Sequence, residues 1–449
     1  MRTPTKWLRR NELGAGSLLL LAAVVLLSDA AAWGQDSGQD ATPSRFTCST
    51  GHRKGVQALG MDSLYKDGGA GFDLATAPER VSDGACSSDK PFFFSIAATD
   101  GNYQVTLELG GPQASRTTVK AESRRLMVDK LVLKAGRSQQ VVFNVNVRTA
   151  KIAGAPAGAD TVRLKSREIG ILEWDDKLTL EFNGENPSVR SIAIQKIDVP
   201  TVYIAGDSTV VDQDKEPWAA WGQMLPVFFG PGVSIANNAE SGETIKSFVG
   251  ERRLAKVEST WKKGDYLMIQ FAHNDQKMPG GVPLPEYKQI MQRYISDARA
   301  AGVTPILVTA MNRREFNPDG TLRMTLGEYP QATRDVATEE KVALIDLNAM
   351  SKTIFEAMGE QGTLHAFVQY AANTFPGQTT ALRDNTHFNA YGAYELARAI
   401  VQSIRDQHLP LETYLRPGIP PFDPAKPRPF AEWSLPMSPA VSTATPYGR

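Results

Sequence analysis

The sequence lacks the short motifs that are typical of metal-, nucleotide- and dinucleotide-binding sites. It contains no HExxH, no CxxC, no GxxxxGK[ST] and no well-placed GxGxxG, so nothing predicts a zinc, phosphate-loop or dinucleotide site. Its 49 Lys and Arg residues balance 49 Asp and Glu residues, and a formal net charge of zero gives no electrostatic case for nucleic acid. We therefore expect no metal, no organic cofactor and no nucleic-acid partner.

Cysteine is almost absent, with only Cys48 and Cys86 in 449 residues. Neither has the setting of a catalytic residue. In an oxidising compartment the two can form a disulfide, which would stabilise the fold by ~3–4 kcal/mol by closing a loop of that size. Two reduced, buried thiols are the alternative.

The N-terminus has the composition of an export signal rather than a membrane anchor. Basic residues precede the apolar run Leu18–Leu27, which is short for a membrane span, and small residues that suit cleavage follow at Ala30–Gly34. We expect residues 1–34 to be a signal peptide. The mature protein would then be exported, either periplasmic or extracellular, and would not be held in a membrane.

Apolar and polar residues alternate through much of the region 35–198. The pattern is clear in Val105–Leu109, Val141–Val147 and Leu178–Phe182, and turn residues separate these runs. Short, half-buried strands with turns between them predict an antiparallel β-sandwich. Such a module beside a hydrolase often binds carbohydrate, and Trp174 is either part of a sugar platform or a packing residue.

Beyond residue 198 the pattern changes to nearly continuous apolar runs with helical segments between them. The five runs are Thr201–Ala205, Val233–Ala236, Tyr266–Phe271, Pro305–Thr309 and Val342–Ile345. Strands that are apolar on both faces belong to a parallel sheet covered by helices on both sides. We therefore predict a three-layer α/β/α domain in 199–412, followed by a proline-rich tail, 413–449, that extends over the surface.

A serine stands at the end of the first apolar run, in Gly206-Asp207-Ser208-Thr209. Residues that follow a strand lie at the carboxyl edge of an open α/β sheet, where such folds bind their ligands. The glycine permits a sharp exit from the strand. A serine hydroxyl is a weak nucleophile, so it needs a base, and the base needs a group that orients it.

Histidine is scarce, which narrows the search for that base. Two of the five histidines, His52 and His408, lie in the other predicted domain and in a polar C-terminal turn. The remaining candidates are His273, His365 and His387.

His387 is the candidate with a carboxylate at a suitable spacing. Asp384, three residues earlier, can accept a hydrogen bond from Nδ1–H of His387, which leaves Nε2 to take a proton from Ser208. The stretch lies between the fifth run and the last predicted helix, so we expect it at the carboxyl edge of the same sheet. Because Asp-x-x-His alone is a weak pattern, a capped surface turn is the alternative.

Two further strand ends carry residues that suit an oxyanion hole. Asn274 follows the third run, and its amide N–H can point at a developing oxyanion, although a helix cap is the alternative. Gly242 follows the second run, where the absence of a side chain lets a backbone N–H approach the same oxyanion. An ordinary turn glycine is the alternative there.

Taken together, these motifs resemble the SGNH (GDSL-type) hydrolases over roughly residues 199–410. The four blocks, in order, are Gly206-Asp207-Ser208, Gly242, Asn274-Asp275 and Asp384-x-x-His387. More narrowly, three stretches are similar to the rhamnogalacturonan acetylesterases, carbohydrate esterase family twelve: Ile204–Thr209, Phe271–Asp275 and Asp384–Asn389. One departure is Ala272, where glycine often precedes His-Asn-Asp in the family pattern.

The resemblance implies a flavodoxin-like SGNH domain after a galactose-binding-like sandwich. It implies that Ser208 is the nucleophile, His387 the base and Asp384 its orienting group. The Ser208 and Gly242 N–H groups and the Asn274 amide would form the oxyanion hole. The implied activity is removal of O-acetyl groups from an acetylated plant cell-wall polysaccharide or oligosaccharide, most simply rhamnogalacturonan or pectin.

Three residues are candidates for substrate binding. Arg313 and Arg314 follow the fourth run and can meet an acidic sugar, whereas a surface salt bridge is an equal alternative. Tyr329 is a candidate for stacking on a sugar ring. A lipase or thioesterase of the same fold, and a carbohydrate-binding protein without activity, are the alternatives to an acetylesterase.

Overall fold

The structure, a computed structural model, describes residues 43–49, 54–442 and 446. The predicted signal peptide therefore lies outside the described residues, as does part of the C-terminal tail. Among the helices of the described part, none combines the length and the apolar character that crossing a bilayer requires.

Short strands form the first half of the described chain. They are β1 (Ser44–Thr47), β2 (Gln57–Ala58), β3 (Ala70–Asp73), β4 (Arg80–Ser82), β5 (Ala85–Ser87), β6 (Phe92–Ala97), β7 (Gly101–Gly110), β8 (Ser115–Ala121), β9 (Arg125–Leu133), β10 (Ser138–Val147), β11 (Lys177–Glu185) and β12 (Ser188–Ile197). One sheet has the order β10-β7-β12-β1-β2, with β5 added beside β12 and β4 beside β5. The other has the order β3-β6-β11-β8-β9. All these pairings are antiparallel except that of β1 with β2.

Alternation along the strands lets the two sheets share one apolar core. Val105, Leu107 and Leu109 of β7 are fully buried. They belong to the same cluster as Phe182, which comes from β11 of the other sheet. The chain thus has the β-sandwich that the alternation predicts, whereas its likeness to a galactose-binding module stays a prediction.

A disulfide bond joins Cys48, just after β1, to Cys86 in β5. Both side chains are buried. Because β1 and β5 both pair with β12, the bond links two segments that lie on one strand. The structure therefore has the bonded pair rather than two reduced thiols.

Five parallel strands form the sheet of the second region. They are β13 (Thr201–Gly206), β14 (Ser234–Asn237), β15 (Tyr266–Gln270), β16 (Thr304–Val308) and β17 (Ala343–Ile345), in the order β14-β13-β15-β16-β17. Val202 and Ile204 of β13 enter the apolar core on one face, and Tyr203 and Ala205 enter the core on the other. This two-sided burial explains why the runs are apolar at nearly every position.

Helices cover both faces of this sheet. They are α1 (Trp221–Met224), α2 (Ile245–Gly250), α3 (Arg253–Glu258), α4 (Leu284–Ala300), α5 (Tyr329–Glu340), α6 (Leu347–Thr363) and α7 (Ala390–Asp406). Side chains of α1, α6 and α7 form the core on one face, and those of α2 to α5 form the core on the other. The predicted three-layer α/β/α fold is confirmed.

The segment that carries Asp384 and His387 is placed differently from the prediction. Residues Leu382–Phe388 form strand β19, which pairs antiparallel with β18 (Phe367–Tyr370) in a separate two-stranded ribbon. The expectation of a strand end of the parallel sheet was therefore wrong. Positions within β19 alternate between buried and less buried before the fully buried end, as expected for a strand with one covered face.

The sandwich and the tail both pack against the α/β region. Asn102 of β7 donates from Nδ2 to Thr201 Oγ1 over 2.8 Å, at the first residue of β13. Leu126 of β9 is part of the apolar core of the α/β region. In the tail, the ring of Trp433 lies 5.5 Å from that of Tyr391 in α7. The α/β region is therefore in direct contact with the sandwich.

Candidate active site

The site lies where the direction of strand order reverses. The chain runs from β13 outward to β14, then crosses back to β15 on the other side of β13. Open α/β sheets bind ligands in the crevice at such a point, outside the carboxyl ends of the strands. Ser208, Gly242 and Asn274 follow β13, β14 and β15, so the fold brings all three to this crevice.

The turn that carries Ser208 is tight and closely packed. A side chain on Gly206 would place its Cβ 2.6 Å from Val210 Cγ2, so only glycine fits at the strand end. The carbonyl of Asp207 accepts hydrogen bonds from the N–H groups of Val210 and Val211. The Asp207 carboxylate accepts from both the N–H and the hydroxyl of Thr209, at 2.9 and 2.7 Å. Asp207 thus braces the turn and holds Ser208 at its tip.

Ser208, His387 and Asp384 form a continuous hydrogen-bonded set. His387 Nε2 lies 2.8 Å from Ser208 Oγ, and His387 Nδ1 lies 2.8 Å from Asp384 Oδ2. Asp384 Oδ1 accepts from the N–H groups of Thr386 and His387, at 2.8 and 3.0 Å. With Nδ1–H donating to the carboxylate, Nε2 is left to accept the serine proton.

The environment of Asp384 keeps it ionised. Burial by itself would raise the pKa of this carboxyl, but the hydrogen bond and charge of His387, together with two backbone N–H groups, lower it to about 2. An anionic Asp384 can stabilise a positively charged imidazole as His387 takes up a proton.

Three N–H groups are candidate oxyanion donors, and two of them have no acceptor among the described residues. Two are the backbone N–H groups of Ser208 and Gly242. Gly242 has a φ of 84°, in the left-handed region that favours glycine. The third is Nδ2 of Asn274, which donates one hydrogen to the Glu243 carbonyl at 2.9 Å and has a second hydrogen to donate. Together these are the donors that an oxyanion hole requires.

Lys277 is a site residue that the sequence patterns did not reveal. Its ammonium donates to Asn274 Oδ1 over 3.1 Å. This contact is consistent with the oxygen end of the amide lying towards Lys277 and Nδ2 lying towards the Glu243 carbonyl. Burial and the neighbouring charge of Arg313 lower the pKa of Lys277. No spacing rule marks a lysine at this position, because its partner is fixed only by the fold.

Asp275 ties the loops after β14 and β15 together. Its Oδ1 accepts from the N–H of Ile245 at the start of α2, over 2.8 Å, and its carbonyl accepts from Val282 N–H at 2.7 Å. The side chain is fully buried, and within the described chain Oδ2 has no partner. Burial, reinforced by the charges of Asp207 and Glu243, raises its pKa to about 8. This environment favours the protonated, neutral form of Asp275.

His273 is buried behind the nucleophile turn and does not take part in the Ser208 set. Its Nδ1 lies 3.5 Å from Asp207 Oδ2. Burial lowers the pKa of His273 more than the Asp207 charge raises it, so the ring is neutral near pH 7. Of the three histidines considered as bases, the structure brings only His387 to Ser208.

The two arginines that follow β16 face different environments. Arg313 donates to the Thr325 and His273 carbonyls at 3.3 and 3.2 Å, and Asp207 and Asp384 are among the charges that act on it. Arg314 instead donates to the Glu360 carbonyl at 2.8 Å and is largely buried there.

The structure does not bring Arg314 or Tyr329 to the site. The salt bridge that was the alternative for Arg314 is formed with Glu360, over 3.9 Å. The Tyr329 hydroxyl donates to the Val282 carbonyl at 2.6 Å, and its ring packs 5.1 Å from that of Tyr287. Tyr329 therefore belongs to the core, since both its polar and apolar parts are already used.

A parallel sheet of this order with a Ser–His–Asp set at its carboxyl edge has the geometry of a serine ester hydrolase. The model of the GDSL-like Lipase/Acylhydrolase family matches residues 204–396. Rhamnogalacturonan acetylesterase RhgT of Bacillus subtilis is 40% identical over 216 residues, which cover 48% of this chain and 93% of RhgT. The probable rhamnogalacturonan acetylesterase YesY of the same organism is 32% identical over 215 residues, 47% of this chain and 94% of YesY.

A solved structure also spans most of the chain. The crystal structure of YxiM from Bacillus subtilis covers 82% of this chain and 99% of its own, with 23% identity and a TM-score of 0.45. The sequence matches are decisive for classification. The chain belongs to the GDSL-like lipase/acylhydrolase family, in its rhamnogalacturonan acetylesterase-like branch, and is an enzyme of the carbohydrate acetylesterase type.

Replacing Asn274 by Ala should lower kcat about 10²–10³-fold and change KM little, because one oxyanion donor is lost only in the transition state. Asn274→Asp should be at least as damaging, since it keeps the shape but presents an acceptor to the oxyanion. The measurement is steady-state hydrolysis of p-nitrophenyl acetate. Asn317→Ala, on an exposed loop, is the matched control. An unchanged kcat for Asn274→Ala would remove Asn274 from the hole.

Replacing Asp275 by Asn should make stability less sensitive to pH. In the folded protein the pKa of Asp275 is raised to about 8, so its stabilising effect is complete below its ordinary pKa, about 4, and is lost as pH rises towards 8. Asparagine imitates the neutral acid at every pH and keeps the acceptor for Ile245 N–H. Urea denaturation at about pH 5, 7 and 9 measures the free energy of unfolding of both proteins. The value for the variant should rise relative to that of the wild type as the pH increases. If the free energy of unfolding of the two proteins differed by the same amount at all three pH values, Asp275 would be ionised throughout and its pKa would not be raised.

Proposed function

We propose that the protein removes O-acetyl groups from an acetylated plant cell-wall polysaccharide of the rhamnogalacturonan or pectin type. The observation that carries this proposal is the Asp384–His387–Ser208 set, with both its hydrogen bonds at 2.8 Å, together with the N–H groups of Ser208 and Gly242, which have no acceptor among the described residues. These are the groups that acyl transfer through a serine needs.

The proposed reaction has two steps. Ser208 Oγ attacks the acetyl carbonyl while its proton passes to His387 Nε2. The oxyanion accepts hydrogen bonds from the N–H groups of Ser208 and Gly242 and from Nδ2 of Asn274. The bond from the acetyl carbon to the sugar oxygen then breaks, and His387 returns the proton to that oxygen, which leaves an acetyl-enzyme. Water then gives a proton to His387 Nε2 and attacks the acetyl carbon; the bond from that carbon to Ser208 Oγ breaks, His387 returns the proton to Oγ, and acetate leaves.

The substrate class is proposed from the relatives and from the charge at the site. RhgT carries the name of a rhamnogalacturonan acetylesterase, and rhamnogalacturonan contains galacturonate, which is an anion. The chain presents two cations beside the catalytic set, Lys277 and Arg313, and both respond to the charges of Asp207 and Asp384. We propose that Arg313 pairs with a galacturonate carboxylate near the acetylated sugar.

A cavity of about 270 Å³ next to the nucleophile turn offers room for flanking sugar units. Its lining includes Gln213 and Trp218 from the loop after Ser208, Ser241 from the loop after β14, and Arg167 from the sandwich. Gln213 donates to the Ser208 carbonyl at 3.0 Å, which connects the cavity wall to the nucleophile.

We also propose that the protein is exported. The support is the basic and apolar N-terminal sequence together with the buried Cys48–Cys86 disulfide, a bond typical of oxidising compartments.

Ser208→Ala should abolish acetate release while leaving the fold intact, because the hydroxyl is the proposed nucleophile. Acetate would be measured from acetylated pectin, xylan and xyloglucan, with p-nitrophenyl acetate and a longer acyl ester beside them. We expect acetylated pectin to be the best polymer and acetate to be preferred over longer acyl groups. Turnover by Ser208→Ala would refute the triad, and faster cleavage of long acyl chains would favour a lipase or thioesterase.

Arg313→Gln should raise KM roughly tenfold or more on acetylated galacturonate-containing oligosaccharides, because a charge-assisted hydrogen bond is lost. Hydrolysis of a neutral acetylated sugar should change far less. Arg314→Gln is the matched control, since its guanidinium is engaged with Glu360. If Arg313→Gln changed KM equally for the charged and the neutral substrate, the proposed pairing of Arg313 with galacturonate would be wrong.

A further inference from the structure

We propose that Lys165 and Arg167 are positioning residues of the oxyanion hole. Both residues belong to the segment between β10 and β11, outside the α/β region. They hold the peptide group that joins Ser241 to Gly242, which carries the Gly242 N–H. The proposal rests on the function proposed above, in which Gly242 binds the oxyanion.

Both cations bind the carbonyl oxygen directly before Gly242. Lys165 Nζ donates to the Ser241 carbonyl at 3.1 Å, and Arg167 Nη2 donates to the same oxygen. The Ser241 C=O and the Gly242 N–H are the two ends of one planar, trans peptide group and point in opposite directions. Holding the oxygen therefore fixes the direction of the N–H.

Two positive groups on a carbonyl also change the strength of the N–H at the other end. Hydrogen bonds along a chain polarise one another, so donation to the Ser241 oxygen makes the Gly242 N–H a better donor. Gly242 itself has a φ of 84° and no side chain to restrain it. External contacts are therefore needed to select one orientation of this peptide group.

The same cations also bind the carboxylates of Glu240 and Glu243, on either side of this peptide group. Arg167 Nε and Nη2 donate to Glu240 Oε1 at 3.0 and 2.6 Å, and Lys165 pairs with the Glu243 carboxylate. Both carboxylates are buried. We call these contacts of Lys165 and Arg167 with Glu240, Ser241 and Glu243 the clamp. The Glu243 carbonyl accepts from Asn274 Nδ2, so the clamp also contacts the residue that holds the second oxyanion donor.

The segment that presents the cations is itself rigidly held. Glu168 accepts from Lys165 N–H at 2.9 Å and from Trp174 Nε1 at 3.0 Å. Its carboxylate also receives a bidentate contact from Arg253 of α3, at 2.9 and 2.5 Å. The Arg148 guanidinium covers the Trp174 ring at 4.7 Å. Trp174 is thus part of the support of this segment rather than a bare sugar platform.

The test uses the full chain with Lys165→Met, Arg167→Met and the double variant. Reactive serine would be titrated with a p-nitrophenyl phosphonate, so that kcat is expressed per active site. A boronic acid provides a second readout, because its tetrahedral adduct places an oxygen in the hole. We expect the double variant to lose about tenfold or more in kcat per site and a similar factor in boronate affinity, with KM changed less than about twofold.

Three further variants separate positioning from folding. Arg167→Lys keeps a cation and should recover most of the loss. Arg167→Met combined with Glu240→Gln removes both charges, so no carboxylate is left buried and unpaired, and it should still lose kcat. Arg163→Met is the matched control, because Arg163 lies on the same segment but contacts the Gly250 carbonyl. It should leave kcat and boronate affinity unchanged.

The proposal is overturned if the double variant keeps wild-type kcat per titrated serine and wild-type boronate affinity. It is equally overturned if the titre of reactive serine falls while kcat per site does not, since Lys165 and Arg167 would then serve folding alone. If Ser208→Ala is inactive and the double variant is normal, the triad stands and only the clamp fails. If Ser208→Ala is active, the proposed function fails and the clamp with it.

Discussion

Charged hydrogen bonds between the β-sandwich and the loops of the α/β region hold the catalytic geometry together. Arg125 at the start of β9 pairs with Asp212, four residues after Ser208, and Arg167 pairs with Glu240 beside Gly242. Buried charges are expensive unless paired, so separating the two regions would leave several of them uncompensated. The sandwich is therefore part of the scaffold of the active site, whether or not it also binds sugar.

The remaining geometry follows from the order of the parallel strands. Because β13 lies between β14 and β15, residues that are far apart in the chain meet at one crevice. His387 is positioned differently. It contacts Ser208, 179 residues away in the chain, from a ribbon outside the parallel sheet. Ser208 Oγ and His387 Nε2 are held 2.8 Å apart because the Asp207 carboxylate braces the turn after β13 and the Asp384 carboxylate accepts from the His387 N–H in β19.

Two buried aspartates show how the site sets opposite protonation states with similar side chains. Asp384 receives two backbone N–H groups and the imidazole, and its pKa falls to about 2. Asp275 receives one backbone N–H and lies among other carboxylates, and its pKa rises to about 8. The surroundings of Asp384 therefore favour a carboxylate beside His387, whereas those of Asp275 favour a neutral carboxylic acid that links two loops.

Local sequence patterns determined the fold class and most of the elements. Alternation predicted the sandwich and apolar runs predicted the parallel sheet, whereas Ser208, Gly242 and Asn274 stood out as a set only when their order along the chain was seen to resemble a known family. Tertiary structure alone decided which cations matter: Lys277 faces Asn274, Arg314 turns to Glu360, and Lys165 and Arg167 reach Ser241 from another region. Backbone periodicity is a local property that neighbouring residues encode, but the partner of a long charged side chain depends on where distant segments pack.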